Sequence, residues 1–274
     1  MLGGVVSVQV GAALATTLFD ELGPAGTVLL RVALAALVLA AIWRPAVGGT
    51  PRAALRDVAM FGLALAGMNL AFYAALDRIP LGIAVTLEFV GPLGVAILAS
   101  RRRLDVAWAA LAGCGIVLLS PAPGGSIDAL GAGLALLAGG FWGAYILLSA
   151  RVGRAFPGGT GLAMAMVVAA ALLVPVGVAG GGAELLEPRL VAVGFGVAML
   201  SSAIPYSLEL EALRRLAAGT FGVLMSLEPA VAALVGLIVL GQGLAAIELV
   251  AIGLVVVASA GALGTSSAPA PVEA

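Results

Sequence analysis

The 274-residue chain contains no histidine and no lysine; its 13 basic residues are all arginine, and it has a single cysteine, Cys114. Without histidine, Ser-His-Asp and Cys-His catalytic arrangements are excluded. One cysteine and no histidine also exclude metal sites built from those ligands, and a lone cysteine forms no disulfide within the chain. Charge is equally scarce. Only 10% of residues are charged against 62% hydrophobic, and the mean hydropathy is +1.21. A soluble domain of this length covers its core with charged side chains, and 13 arginines with 14 acids are too few. A soluble enzyme, a nucleic-acid binder and a disordered chain are therefore excluded. No G-x-x-x-x-G-K-[ST] phosphate loop is present, and no lysine exists to serve one. No basic segment precedes the first apolar run, so a cleaved leader is not expected.

What the chain has in quantity is long apolar runs. A membrane-crossing helix needs about 20 apolar residues, which leaves space for about ten spans and almost no loop. Runs separated by charge or by Pro/Gly clusters fall at 3–19, 24–43, 57–76, 81–99, 104–120, 128–149, 159–179, 190–211, 218–240 and 244–263. They do not alternate, which argues against a β-barrel. The expected fold is an all-α integral membrane protein. The tail 265–274, rich in Ser, Ala and Pro, is expected to be disordered.

The arginines orient these spans. With the N-terminus in the cytoplasm, the inner loops carry Arg44, Arg52, Arg56, Arg101, Arg102, Arg103, Arg151, Arg154, Arg214 and Arg215, and the outer loops carry only Arg78 and Arg189. The positive-inside rule then puts both termini in the cytoplasm, in an inner (plasma) membrane crossed many times.

Spans four and nine share a pattern. Superposing Pro92 on Pro229, an offset of 137 residues, also matches Ala75, Leu76, Arg78, Gly82, Leu87 and Ala96 with Ala212, Leu213, Arg215, Gly219, Leu224 and Ala233. With five spans per half, the halves have opposite orientation. Two inverted five-helix repeats, 1–120 and 121–264, are a frequent plan of secondary transporters. Proline interrupts a helix by removing a donor, so Pro92, Pro205 and Pro229 are expected helix breaks.

Charges inside a bilayer are costly and read as functional by default. Glu88 in span four and Glu228 in span nine are the deep carboxyls. Each suits a proton carrier or an ammonium-binding group, and each also suits a neutral structural carboxyl. Asn69 and Tyr73 lie one turn apart on span three. Trp142, Tyr145 and Ser149 form a stripe on span six, Ser202, Pro205, Tyr206 and Glu209 one on span eight, and Gln9 and Thr16 one on span one. Any single hydroxyl is explained by a hydrogen bond within or between helices; the set together points to one polar cavity. Arg31 is placed shallow in span two, free to snorkel outward or to meet a carboxylate. Spans five and ten, with few polar residues beyond Trp108, Cys114 and Glu248, read as scaffold or as dimer contacts.

The runs I-P-L-G-I-A-V-T-L-E-F-V-G-P-L (79–93), S-S-A-I-P-Y-S-L-E-L-E-A-L-R-R-L (201–216) and T-F-G-V-L-M-S-L-E-P-A-V-A-A-L (220–234), with S-V-Q-V-G-A-A-L-A (7–15) and F-P-G-G (156–159), resemble the threonine/homoserine exporter branch of the drug/metabolite transporter superfamily. The resemblance covers nearly the whole chain. It implies a basket of ten helices in two inverted EamA-type repeats, with spans three, four, eight and nine, joined by one and six, around a central site.

The expectation is a secondary active transporter that exports a small amino acid such as threonine or homoserine, with no cofactor and no catalytic activity. Glu88 or Glu228 would meet the substrate ammonium, and Asn69, Tyr73, Ser202 or Tyr206 its carboxylate, with Gln9, Trp142 and Tyr145 lining the cavity. Coupling to protons fits the two acids, and a homodimer is left open. A broader drug or metabolite exporter of the same fold is the alternative within transport. An intramembrane enzyme lacks its catalytic residues here. A receptor or assembly factor would not need paired helix breaks or buried acids.

Overall fold

The computed structural model describes residues 2–45, 50–99, 103–118, 127–205 and 225–265. Among these residues every regular element is helical. The helices are α1 (Leu2–Thr16), α2 (Phe19–Trp43), α3 (Arg52–Leu76), α4 (Leu81–Glu88), α5 (Val90–Ala99), α6 (Arg103–Leu118), α7 (Ala129–Ala155), α8 (Thr160–Gly181), α9 (Pro188–Ala198), α10 (Glu228–Leu240) and α11 (Ala246–Thr265). A 3₁₀ turn (Gly182–Leu186) precedes α9 and a π-helical turn (Met199–Ala203) follows it. Each expected span overlaps one of these helices. Four stretches, Phe19–Trp43, Arg52–Leu76, Ala129–Ala155 and Thr160–Leu186, are long and apolar enough to cross a bilayer; the other apolar helices are shorter.

Among the differences from expectation, three have identifiable reasons, and α7 also runs on to Ala155, six residues past the expected end. The second helix begins at Phe19 rather than residue 24, because its first turn is joined to the rest across a kink at Gly23, whose φ of 62° admits glycine readily. Thr27 Oγ1 donates to the Gly23 carbonyl at 2.8 Å, satisfying an acceptor at that kink. The fourth span is two helices, broken at Phe89. The third helix starts at Arg52, five residues before the apolar run, since arginine forms helix well outside the apolar stretch. The expected repeat boundary near residue 120, Tyr206, Glu209 and the tail from residue 266 lie outside the described residues.

The helices pack in pairs. α2 lies along α8, α3 along α7 and α8, α4 against α10 and α7, and α6 along α11, while α1 meets α10, α9 and the π turn. One apolar cluster joins α2, α3, α7, α8 and α9 through Leu22, Val32, Phe61, Leu65, Met166, Leu173 and Leu190. A second joins α1, α4, α7 and α10 through Ala13, Leu81, Ile83, Leu87, Ala135 and Val235. The outward faces are apolar too: Leu98, Val106, Val117 and Ile238 are largely exposed. Water would penalise such a surface; a lipid environment does not, and the protein is membrane-embedded.

Loop contacts sort the helix ends into two groups. At one end Arg189 pairs with Glu21, Arg78 lies 3.7 Å from Asp128, and Gln242 Oε1 accepts from the Leu81 backbone N–H at 3.0 Å. The last contact caps α4, whose first N–H groups have no donor-acceptor partner within the helix. At the other end the Trp43 indole lies against Gly158 and Gly159. Asp128 also caps α7, accepting from Gly131 N–H at 2.6 Å.

Candidate functional site

The interior polar groups gather where helices are interrupted. Pro92 has no N–H to offer the carbonyl four residues back, that of Glu88. α4 accordingly ends at Glu88, and α5 resumes one residue later. The break is locked by backbone packing against α7. A Cβ added at Gly139 would stand 2.6 Å from the Glu88 carbonyl oxygen, and one added at Gly91 would overlap the Gly139 carbonyl. Only glycine lets two backbones approach so closely. Phe89, at the break, meets Trp142 of α7 edge to face, ring centroids 5.5 Å apart.

A second break stands 137 residues further on. Ser226 and Leu227 interrupt the helix after Met225, and α10 begins with Glu228 and Pro229. Residues 89 and 226 are thus related by the same offset that superposes the two prolines. Glu228 is buried and has a partner. The π-helical turn Met199–Ala203 ends two residues before Pro205 and carries Ser202, which is buried. Ser7 of α1 donates to the Leu200 carbonyl of this turn at 2.6 Å, and Ser201 donates to Val197 O at 2.6 Å. Gln9 of α1, also buried, leaves its Oε1 without a hydrogen-bond partner among the described residues.

Arg31 lies seven residues beyond Pro24, about 10 Å at 1.5 Å per residue along the helix that follows the Gly23 kink, and its side chain does not snorkel outward. Its guanidinium donates to Asn69 Oδ1 and lies over the Tyr73 ring, 5.2 Å from the centroid. Asn69 is oriented in turn by donating its own Nδ2 to Leu65 O at 2.8 Å. Glu88, buried on α4, is close enough to feel the Arg31 charge, yet no ion-pair contact joins them. Arg31, Asn69, Tyr73 and Glu88 therefore form one cluster drawn from α2, α3 and α4. Its polar atoms are not all used: Arg31 Nε and the Tyr73 hydroxyl have no hydrogen-bond partner among the described residues.

Other expected members lie elsewhere. Tyr145 meets Phe61 at a tilt, centroids 5.1 Å apart, and lines a cleft of about 130 Å³ with Ser149, Phe156 and Gly158 near the Trp43 end. Ser149 and Thr16 spend their hydroxyls on carbonyls of their own helices, Ile146 and Ala13, so the plain structural explanation holds for both. Glu248 accepts from the Ala245 N–H at 2.8 Å and caps α11. α6 packs on α11 and α5, with Trp108 against Gly261, at the edge of the bundle. Tyr206 lies outside the described residues. Among the described residues no group of acids and cysteine is arranged to hold a metal ion.

The chain is 42% identical over 263 residues to the threonine/homoserine exporter RhtA of Escherichia coli (strain K12), a match covering 95% of this chain and 89% of that one. RhtA of Salmonella typhimurium (strain SL1344) matches with the same identity and coverage. A profile of the EamA-like transporter family fits residues 129–264. The chain belongs to the EamA-like transporter family. Within it, the full-length likeness places this EamA protein in the threonine/homoserine exporter branch. A solved crystal structure, 20% identical, superposes with a TM-score of 0.64 over 95% of both chains and shares the fold. The expected resemblance and the transporter class both hold. Membership also gives the interrupted helices a setting: irregular backbone at membrane depth is tolerated where it lines a cavity or is buried in protein.

Proposed function

We propose that this EamA protein exports small α-amino acids of the threonine and homoserine kind across an inner membrane by alternating access. The observation that carries this reading is the joint one of a full-length 42% likeness to threonine/homoserine exporters and a buried polar cluster, Arg31–Asn69–Tyr73–Glu88, beside a broken helix. A zwitterion requires an anion for its ammonium and donors for its carboxylate. Glu88 or Glu228 serves the first, and Asn69, Tyr73, Ser202 and Tyr206 serve the second, with Gln9, Trp142 and Tyr145 along the path.

Ten spans in two inverted repeats, 1–120 and 121–264, form the working frame. Support comes from the packing. The 137-residue offset carries α2 onto α8 and α6 onto α11, and each of these packs on its own counterpart; it carries α5 onto α10, which packs against the other half of the same broken span, α4. It carries α1 onto α7 and α3 onto α9, so the α3–α7 contact maps onto the α1–α9 contact, which is also present. Opposed halves of this kind suit rocking about a fixed central site. Both termini face the cytoplasm, on the arginine count; the arginine-poor end with Arg78, Asp128, Glu21 and Arg189 is then external. Without a nucleotide motif, the work comes from an ion gradient or the substrate gradient itself. Coupling to protons through Glu88 or Glu228 is part of the proposal, whereas a homodimer would involve the edge helices α6 and α11.

Growth of cells expressing the protein under a panel of toxic compounds tests the substrate class. Resistance to excess homoserine, threonine and their toxic analogues is expected, with no protection against purine analogues or cationic drugs. Protection spread across the whole panel would replace amino-acid export with a broader metabolite exporter.

A further inference from the structure

We propose that Arg31 is the carboxylate anchor of the transport site and restricts it to substrates that carry a free carboxylate. The assignment rests on the amino-acid export reading and deepens it. An arginine within a membrane-crossing helix is costly and is retained for a partner. The arginines paired with acids among the described residues are Arg78 and Arg189, both at one end of the bundle. Arg31 has no ion pair there. Its fixed neighbours are an amide oxygen, Asn69 Oδ1, and an aromatic face, Tyr73. Both orient the guanidinium, and neither neutralises it.

The geometry leaves the hydrogen-bonding capacity of the group partly unused. One Nη donates to Asn69, while Nε is buried with no partner among the described residues. Nε–H and an Nη–H form the planar fork that takes a carboxylate through two parallel hydrogen bonds. Asn69 is itself tied to Leu65 O, so the fork is held in place before substrate arrives. Glu88 supplies the opposite pole, near enough to feel the Arg31 charge without contact. A positive and a negative group within one buried cluster, not paired with each other, match the two ends of an α-amino acid. A substrate bridging them lets each charge meet its partner without a direct Arg31–Glu88 ion pair that would close the site.

The test compares threonine with threoninol, which keeps the ammonium and hydroxyl but replaces the carboxylate with an alcohol. Both are measured as competitors of labelled threonine exchange in proteoliposomes containing the wild type, Arg31→Gln or Arg31→Lys. Wild type is expected to prefer threonine. In Arg31→Gln, threonine affinity falls about 10- to 100-fold, the effect of losing a charge-assisted hydrogen bond, while threoninol affinity is unchanged and the preference disappears. Arg31→Lys keeps the charge without the fork and is expected to fall between; it also serves if the Gln variant does not fold, with thermal stability in detergent reporting on both. A parallel loss for both compounds, or unaltered threonine affinity, assigns Arg31 a structural role and overturns the proposal. Absence of any threonine exchange by the wild type is a different failure, which removes the amino-acid reading and this assignment with it.

Discussion

A single added methyl group at Gly139 tests whether the break in the fourth span is held by backbone contact. The Cβ of Gly139→Ala would lie 2.6 Å from the Glu88 carbonyl oxygen, 3.2 Å from its carbon and 3.3 Å from its Cα. These are backbone atoms, so no side chain can swing aside. α7 has to withdraw from the break by several tenths of an ångström, or α4 has to reorient. Overpacking of this kind costs about 1–3 kcal/mol. The neighbouring Gly140 is the internal control, because a Cβ there meets nothing within 4 Å. Both substitutions gain the same helix propensity, about 1 kcal/mol for glycine to alanine, so the difference between the variants isolates the contact. Gly140→Ala is expected to match or exceed wild-type stability and to transport normally. Gly139→Ala is expected to be less stable than Gly140→Ala by about 1–3 kcal/mol and to transport poorly, since Glu88 moves with its carbonyl. Thermal unfolding in detergent and substrate exchange in liposomes read the two effects. Equal stability and equal transport for the pair would refute the claim that backbone packing at Gly139 fixes the break.

Glu88→Gln preserves size and hydrogen bonding but removes charge, and is expected to lower export about 10- to 100-fold, equivalent to one charge-assisted hydrogen bond, with normal membrane insertion; export at wild-type rates would take Glu88 out of the site. Glu228→Gln is expected to retain substrate exchange while losing its response to a pH gradient, measured with an imposed proton gradient in liposomes; an unchanged response places coupling elsewhere. In a Cys114→Ala background, single cysteines at Ser100 and Gly153 are expected to resist an impermeant thiol reagent applied to intact cells, whereas one at Gln242 reacts. Reaction at Ser100 or Gly153 from outside would reverse the proposed orientation.

Much of the bundle was legible because it depends on local chemistry. Apolar runs bounded by arginine or Pro/Gly place helices, and proline's missing N–H places the breaks beside Glu88 and Glu228. The shared offset is visible in Pro92 and Pro229 alone, and the breaks at Phe89 and Ser226 obey it. What was not legible depends on direction. In a helix that is apolar on nearly every side, periodicity does not say which face is inside, so it leaves open whether Arg31 points outward or onto Asn69 and Tyr73. A signal for it existed: Arg31 is the only basic residue within a span. The Gln242 cap on α4 joins residues 161 positions apart, and the Gly139–Glu88 contact depends on the crossing of two helices; neither leaves a local pattern. Tyr145 and Trp142 share a helix stripe, yet one faces Phe61 and the cleft and the other faces the break. A stripe identifies a face of a helix, not the single cavity that all its residues line.

Export of threonine and homoserine through the central cluster is tested most directly by counterflow in proteoliposomes loaded with unlabelled threonine. The account predicts that labelled threonine and homoserine accumulate transiently against their gradient, that unlabelled homoserine competes, and that Glu88→Gln and Arg31→Gln suppress the accumulation. Failure of the wild type to show counterflow with either amino acid, or undiminished counterflow in both variants, would contradict it.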